Sequence, residues 1–308
     1  GHVSMFSMGS DIGDINNDGL LDIFSTDMLP EDEYRLKTMS RFDEVNIEAM
    51  RFQANFHYQF MQNSLQLNNG DGTFSEIGQL AGVSATDWSW GALMFDFDND
   101  GWKDLFVSNG IQRDITDMDF SDFLADKASV DKIVKEKKRF DFRDFLPYIP
   151  QTKIPNYAFV NQKNLSFQNK SYELGLGEPS FSNGSAYGDL DNDGDLDLVV
   201  NNLNAESFVY RNEAVQKTGN HFLKIKLQGA EGNPFGVGTI VKVSVNGQTQ
   251  TVHQMLARGF ESSVEPILTI GLGQAKQVDS LTIIWPNRRA EILHNLGYRV
   301  QGSDIAEN

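Results

Sequence analysis

The chain has 308 residues, of which 40% are hydrophobic, so it is long enough for one large or two moderate domains with apolar cores. It carries 43 acidic and 26 basic residues, and the net charge of −17 repels nucleic acid and anionic membranes and favours cations as partners. It has no cysteine and no apolar run of the roughly 18 residues that a membrane span needs, which excludes disulfides, thiolate metal sites and transmembrane helices.

The first predicted element is an acidic loop. It follows an aromatic-Ser-x-Gly sequence at residues 6–9 and runs over residues 14–22 with the pattern D-x-N-x-D-G-x-x-D. A helix-compatible stretch comes next, and we interpret it as an insertion at about residues 28–61.

The second region repeats this pattern with a hairpin in front of it. Residues 65–68 are predicted to be a strand, and the following NGDG sequence is a strong signal for a tight hairpin turn. A second aromatic-Ser-x-Gly sequence then precedes an acidic loop at residues 96–104. The strand predicted at residues 105–107 has consecutive apolar residues, which indicates burial on both faces.

A second helical insertion is predicted at about residues 112–153, and a third copy of the pattern follows it. This copy has a strand at 157–161, an acidic loop at 189–197 and an apolar strand at 198–200. In this copy Asn212, the counterpart of Asn68 and Asn161, follows Asp197 after a short connection. Insertions at one equivalent loop gather on one face of a repeat array, which is often its binding face, although they can also simply cap the array.

The chain aligns with itself, which indicates an internal repeat. Residues 68–104 match residues 161–197 without a gap, and the sequence around the first loop matches the second half of the same unit. We predict three copies of a unit of four short strands, the first lacking its front, and this is the pattern of β-propeller blades. The predicted fold is mainly β: a partial or complete β-propeller with helical insertions at residues 1–217, followed by a small β domain at residues 218–308.

Three blades are too few for a ring, which ordinarily needs about four to eight. The chain also begins just before its first motif and without an initiator Met. We therefore expect it to be a piece of a longer protein, with further blades outside this chain.

The acidic loops have the composition of calcium sites. Calcium takes roughly six to eight oxygen ligands, and a tight loop with oxygens on alternate residues, a glycine turn and a backbone carbonyl at the seventh position can enclose it. We predict about three calcium ions in a structural role, with a calcium-gated switch as the alternative. The candidate ligands are Asp14, Asn16, Asp18, Leu20, Asp22, Asp96, Asp98, Asp100, Trp102, Asp104, Asp189, Asp191, Asp193, Asp195 and Asp197.

Other metal sites match the loops less well. Magnesium demands near-ideal octahedral geometry, and zinc prefers nitrogen or sulfur ligands that the five histidines do not offer at a useful spacing. An EF-hand starts in the same way, but it closes with Glu at its twelfth position and is flanked by helices.

The loops, the aromatic-Ser-x-Gly strands and the "LNNGDGTF" hairpin resemble the FG-GAP/VCBS repeats of calcium-binding β-propellers, including the integrin α-subunit head. The resemblance covers about residues 4–215 apart from the insertions, and it implies that the fifteen loop positions are calcium ligands. From about Asn220, the sequences "GNPFGVGTIVKVSVNG", "RGFESS", "IGLG" and "VDSLTIIWPN" resemble the ASPIC/UnbV domain. Two positions depart from that domain's pattern: Ile270 replaces an aromatic residue, and Asn287-Arg288 follows Trp285-Pro286 where a glycine is usual.

The combination, with "DMLPEDEYRLKTM" after the first loop, resembles the large VCBS-repeat proteins of Bacteroidetes-type bacteria, which are exported and commonly surface-associated. Open loops of this kind are expected to bind calcium weakly, as extracellular modules do. We therefore expect an extracellular, cell-surface or periplasmic location.

Three functions remain open from the sequence. The first is a non-catalytic recognition or adhesion module that binds a glycan or a protein through aromatic residues near the first insertion, if these residues are not helix core. They are Phe52, Phe56, His57, Tyr58 and Phe60. The alternative is a propeller-based polysaccharide lyase or hydrolase, in which Arg258 or the Arg288-Arg289 pair holds an anionic substrate. The third is a structural spacer.

Overall fold

The computed structural model describes residues 2–39, 45–297 and 305–306. The protein is mainly β, as predicted, with 37% of its residues in strands and 17% in helices, and its sheets are largely antiparallel.

The first sheet is built from residues on both sides of the first insertion. The elements of this region are β1 (Val3–Ser4), β2 (Ser10–Gly13), β3 (Asp22–Ser25), α1 (Glu33–Met39), α2 (Val45–Gln53), β4 (Gln59–Phe60), β5 (Ser64–Asn68) and β6 (Phe74–Glu76). Strands β2, β3, β5 and β6 pair in this order to form sheet 1, while β1 and β4 form a short parallel pair.

The second sheet has the same order of strands. The elements of this region are α3 (Gly78–Ala81), β7 (Ser89–Phe95), β8 (Asp104–Asn109), α4 (Met118–Ala125), α5 (Lys127–Lys137), 3₁₀ turns at Phe142–Asp144 and Leu146–Tyr148, β9 (Tyr157–Asn161) and β10 (Phe167–Asn169). Strands β7, β8, β9 and β10 pair antiparallel as sheet 2.

The third sheet is shorter. Its strands are β11 (Ser182–Gly188), β12 (Asp197–Asn202) and β13 (Phe208–Tyr210), and they are followed by helix α6 (Ala214–Thr218). In the described residues this sheet has three strands. In sheets 1 and 2 the third strand is followed by a fourth, β6 or β10, whereas β13 is followed by the helix α6.

The predicted repeat unit does not coincide with one sheet. The sequence unit begins at the strand that ends in Asn, whereas each sheet begins at the strand that leads into an acidic loop. The two differ because β8 pairs with β9, which is the first strand of the next sequence unit. Among the described residues, the first sheet therefore has four strands and the third has three, although the first copy of the sequence unit lacks its front. Among the described residues the sheets do not close into a ring.

Acidic loops and insertions lie at opposite ends of the sheets. Each acidic loop joins the first strand to the second, and both insertions join the second strand to the third, between β3 and β5 and between β8 and β9. Because the strands are antiparallel, consecutive connections emerge at opposite ends. We call these the loop end and the insertion end.

Two apolar clusters hold the three sheets together. One contains Phe24 of sheet 1 with Leu105 and Val107 of sheet 2, and the other contains Phe106 of sheet 2 with Leu198 of sheet 3. Strand β8 is thus buried on both faces, as its consecutive apolar residues predict.

The C-terminal domain is a β sandwich. Its strands are β14 (His221–Gln228), β15 (Ile240–Val245), β16 (Gln248–His253), β17 (Ala257–Arg258), β18 (Ser262–Ser263), β19 (Ile267–Gly273), β20 (Gln277–Ile284), β21 (Ala290–Gly297) and β22 (Ile305–Ala306). In the described part, β19, β14 and β22 form one sheet and β16, β15, β20 and β21 form the other. Residues of both sheets share one apolar core, in which Ile270 and Trp285 are buried despite the departures from the family pattern around them.

Candidate metal centres at the loop end

The three acidic loops have the same backbone conformation. Each begins directly after the first strand of its sheet and ends at an Asp that opens the second strand, with Gly13 opposite Asp22, Phe95 opposite Asp104 and Gly188 opposite Asp197. The sixth-position glycines Gly19, Gly101 and Gly194 have φ of 88°, 90° and 98°. Residues with a Cβ rarely adopt such values, so glycine is required for this turn.

Backbone N–H groups orient the carboxylates at the first and ninth positions. In the second loop, Asp96 accepts hydrogen bonds from the N–H groups of Asp100 (3.1 Å) and Gly101 (2.8 Å). Asp104 accepts from Phe97 (2.9 Å) and from Asn161 (2.8 Å), the last residue of β9. The equivalent bonds are present in the first and third loops, with Asn68 and Asn212 in the place of Asn161. The carboxylates are thereby fixed before any ion binds.

Two of the loops bring three carboxylates together. Among the described residues, one group consists of Asp96, Asp98 and Asp104 and the other of Asp189, Asp191 and Asp197, with one carboxylate oxygen of each lying within 4.8 Å of the others. The first loop has the amide of Asn16 at the third position, so at the equivalent three positions it offers two carboxylates, Asp14 and Asp22, and one amide oxygen.

Burial makes the negative charge of these groups costly. In the second loop, burial and the neighbouring carboxylates of Asp100 and Asp98 raise the pKa of Asp96 to about 8. Burial together with Asp96 also raises the pKa of Asp104 well above its usual value. In the first loop, burial raises the pKa of Asp22 to about 6. A divalent cation would offset the mutual repulsion of these carboxylates, and carboxylate oxygens are the ligands that a hard divalent cation prefers.

The predicted ligands at the fifth and seventh positions are less clearly directed at the clusters. The Asp100 carboxylate accepts from the N–H of Trp102 (2.9 Å) and forms an ion pair with Lys163 (2.8 Å). Asp195 places its carboxylate against the N–H of Val215 at the start of α6 (2.9 Å), and burial together with Asp193 raises its pKa to about 7. The group that Asp195 can offer to a metal ion is therefore its backbone carbonyl.

Sequence reasoning missed the asparagine at the fourth position of each loop. Asn17, Asn99 and Asn192 have φ of 57°, 58° and 62°. The side-chain amide of Asn17 donates to the Gly101 carbonyl (3.0 Å), and that of Asn99 donates to the Gly194 carbonyl (3.1 Å). Neighbouring loops are thus linked in a chain, and the recurrence of Asn at this position is the signal that marks it.

The C-terminal domain lies directly against the loops. Lys224 of β14 forms an ion pair with Asp189 (2.7 Å), and the carboxylate of Glu265 accepts a hydrogen bond from the N–H of Asp189 (2.9 Å). The side chain of Asn220 donates to the Asp98 carbonyl (2.7 Å), and Asn99 accepts from the N–H of Gly273 (2.8 Å). The loop end is therefore an interface between the two parts of the chain.

The proposed ligand-binding residues have different environments. The side chains from Phe52 to Phe60 are exposed rather than helix core, and the ring centroids of Phe52 and Tyr58 lie 4.5 Å apart.

Arg258 is buried and forms an ion pair with Asp11 (2.7 Å) that joins the C-terminal domain to β2. The suggestion that Arg258 holds an anionic substrate is therefore wrong, because its guanidinium is used within the protein.

The fold and the loops define a repeat protein with propeller-like sheets. A model of the FG-GAP-like repeat matches residues 55–107, across the boundary between sheets 1 and 2, and a model of ASPIC and UnbV matches residues 229–299. The chain contains an FG-GAP-like repeat and an ASPIC/UnbV domain, which confirms the resemblance found in the sequence. No curated protein matches the chain at a significant level.

Proposed function

We propose that the chain is a calcium-stabilised, non-catalytic recognition or adhesion module of an exported protein, and that it binds a glycan or a protein at the insertion end. The observation that carries the calcium part is the convergence of three carboxylates, two of them buried, in each of two loops whose fourth- and sixth-position residues have matching φ angles. The fifteen predicted loop positions remain the proposed ligand set, for about three ions.

The proposed role of calcium is structural. The side-chain oxygens at the first, third, fifth and ninth positions and the carbonyl at the seventh would hold the ion, which would offset the mutual repulsion of the carboxylates. Since the loops contact one another through Asn17 and Asn99 and contact the C-terminal domain through Lys224, an ordered loop end stabilises both parts of the chain.

The exposed aromatic side chains of the first insertion support the recognition role. Aromatic residues anchor interfaces because they bury a large area at a small cost in conformational entropy. Phe56 and Tyr58 are more than half exposed, at 62% and 52%, and lie in the insertion rather than among the acidic loops.

An extracellular, cell-surface or periplasmic location is proposed with this function. FG-GAP repeats typically occur in such proteins, and calcium sites of millimolar affinity are filled outside the cytoplasm. No helix within the described ranges is long and apolar enough to cross a membrane.

A binding screen tests the recognition role. The protein in millimolar calcium is offered to immobilised polysaccharides and host proteins, alongside a Phe56→Ala/Tyr58→Ala variant. Binding without product, weakened in the variant, supports the proposal. Release of unsaturated or reducing oligosaccharides would instead identify a lyase or hydrolase, and the absence of both binding and product would leave the role of a structural spacer.

A further inference from the structure

The two insertions line a cavity that is open to solvent and lies apart from the proposed calcium sites. It has a volume of about 370 Å³ and lies between α1, α4 and the segment around Tyr148. Sites for small molecules or single side chains are commonly of this size. The cavity lies at the insertion end, remote in the sheet topology from the acidic loops.

Aromatic rings form much of the cavity wall. Phe123 stacks on Tyr148 with 4.9 Å between ring centroids and on Phe120 with 6.3 Å. Tyr34 of α1 lines the cavity from the first insertion and is 71% exposed. Ring faces carry negative electrostatic potential, so such a wall attracts cations as well as apolar groups.

A buried carboxylate at the cavity has one oxygen without a partner. Asp114 lines the cavity and is 1% exposed. Its Oδ2 is 3.4 Å from Nη1 of Arg35, whereas its Oδ1 has no hydrogen-bond partner among the described residues. A buried charged oxygen without a donor is costly, so a ligand that supplies an N–H group would gain free energy here.

The charge of the cavity favours a cationic ligand over an anionic or neutral one. Arg35 is the basic residue among the described cavity-lining residues, and its Nε and Nη2 are bound to Asp87, with 2.8 Å between Nη2 and Oδ1. One guanidinium therefore serves two carboxylates. Asp117 and Asp119 also line the cavity and add negative charge.

We propose that this cavity binds an alkylammonium group, with Asp114 as its hydrogen-bond acceptor and the rings of Tyr34, Phe123 and Tyr148 around its alkyl chain and charge. The source is a free amine or a lysine side chain of a partner. This inference rests on the proposed recognition function and specifies the chemistry of one ligand, but it does not depend on calcium in the loops.

The test is binding of small amines to the whole chain, measured by saturation-transfer and chemical-shift NMR in millimolar calcium. The probes are cadaverine, Nα-acetyl-lysine methylamide, its uncharged norleucine analogue and methyl glucoside. Binding of the two amines but not of the neutral probes is expected. A preference for the blocked lysine indicates a lysine of a protein partner, whereas a preference for cadaverine indicates a free amine.

Variants locate the binding to the cavity. Asp114→Asn is expected to weaken amine binding about tenfold or more, because a charge-assisted hydrogen bond is lost. Tyr148→Ala and Tyr34→Ala are expected to weaken it by about 3- to 30-fold. Tyr172→Ala is the matched control, because Tyr172 is 74% exposed, close to the 71% of Tyr34, and lies outside the cavity.

Three results would overturn the inference: no amine binding by folded protein, equal binding of the norleucine analogue or methyl glucoside, or amine binding that neither tyrosine variant weakens. Circular dichroism of each variant shows whether it is folded, and the tyrosine variants keep the test decisive if Asp114→Asn unfolds. If the amines fail to bind while calcium still raises the melting temperature, the cavity proposal fails and the calcium proposal stands.

Discussion

The second and third acidic loops share their motif but not their surroundings. Both have D-x-D-N-D-G-x-x-D and the same hydrogen bonds at the first and ninth positions. In the third loop, Lys224 lies 2.7 Å from Asp189 and Arg211 lies 2.8 Å from Asp191. In the second loop, Lys163 pairs with Asp100 (2.8 Å) and Lys103 attracts Asp96, but no basic side chain within the described ranges forms an ion pair with Asp96, Asp98 or Asp104. In the proposed calcium sites, the motif would supply the ligands and the neighbouring basic residues would determine how much free energy a bound ion gains.

The largest expected effect distinguishes the two loops by their response to calcium. Asp104→Asn and Asp197→Asn each remove a ninth-position charge. A site held at 100 times its Kd stabilises the fold by about 2.7 kcal/mol, and we expect Asp104→Asn to abolish most of this at the second loop. The gain in melting temperature on adding calcium should shrink more for Asp104→Asn than for Asp197→Asn. Asp122→Asn, at an exposed position of α4, is the control. An equal decrease in the calcium-dependent gain of melting temperature in the two loop variants would contradict the predicted difference between the loops.

The second effect concerns the glycines of the same two loops. Gly194→Ala places a Cβ in the ring of Phe222 at a φ of 98°, while Gly101→Ala at 90° meets the flexible end of Gln250 at 2.9 Å. We expect Gly194→Ala to lower the free energy of unfolding by about 2.5 kcal/mol, from backbone strain and overpacking together. Gly101→Ala should cost about 1 to 2 kcal/mol, because it adds mainly strain. Urea denaturation of both variants measures the difference, and the reverse order would contradict the packing of β14 on the third loop.

The third effect concerns the basic residues at the third loop. Lys224→Met removes an ammonium group that competes for Asp189, so calcium affinity at this loop should rise about tenfold while the calcium-free protein becomes less stable. Arg211→Met should raise the affinity less, by up to about fivefold, because Arg211 is 64% exposed and surface ion pairs are weak. Calorimetric titration with calcium measures the affinity of each variant. An unchanged or lower affinity in Lys224→Met would show that the lysine supports the site instead.

The smallest effect concerns the link between the two loops. Asn99→Gly keeps a residue that accepts positive φ but removes the hydrogen bond to the Gly194 carbonyl, and should cost about 1 kcal/mol. Asn192→Gly is the matched control, because its amide has no hydrogen bond among the described residues and its φ is equivalent. Thermal melts of the two variants in calcium provide the measurement. Equal melting temperatures would argue against the chain of loops.

The sequence predicted the features that depend on local pattern. The three loops, the mainly β fold, the two-sided burial of residues 105–107 and the nature of both repeat and C-terminal domain follow from residue types at fixed spacing. The first and last strands of each sheet could not be predicted from the sequence, because a sequence repeat has no intrinsic starting point. They are determined by which strands pair across the insertions.

Features that depend on distant residues could not be predicted. Lys224 is 35 positions from Asp189, and Arg35 is 79 positions from Asp114, so no local pattern relates them. Arg258 was misjudged for the same reason, because its partner Asp11 lies at the other end of the chain. The asparagine at the fourth loop position was visible as a recurrence, but its role became clear only when the neighbouring loops were placed side by side.

Direct measurement of calcium is the most decisive test of the central claim. Calorimetric titration of chelator-treated protein, combined with native mass spectrometry, should detect about three bound ions, with the strongest site lost in Asp104→Asn. The melting temperature should rise with calcium and fall on addition of EGTA. Failure to bind calcium at millimolar concentration, together with a melting temperature that is the same with and without EGTA, would contradict the account.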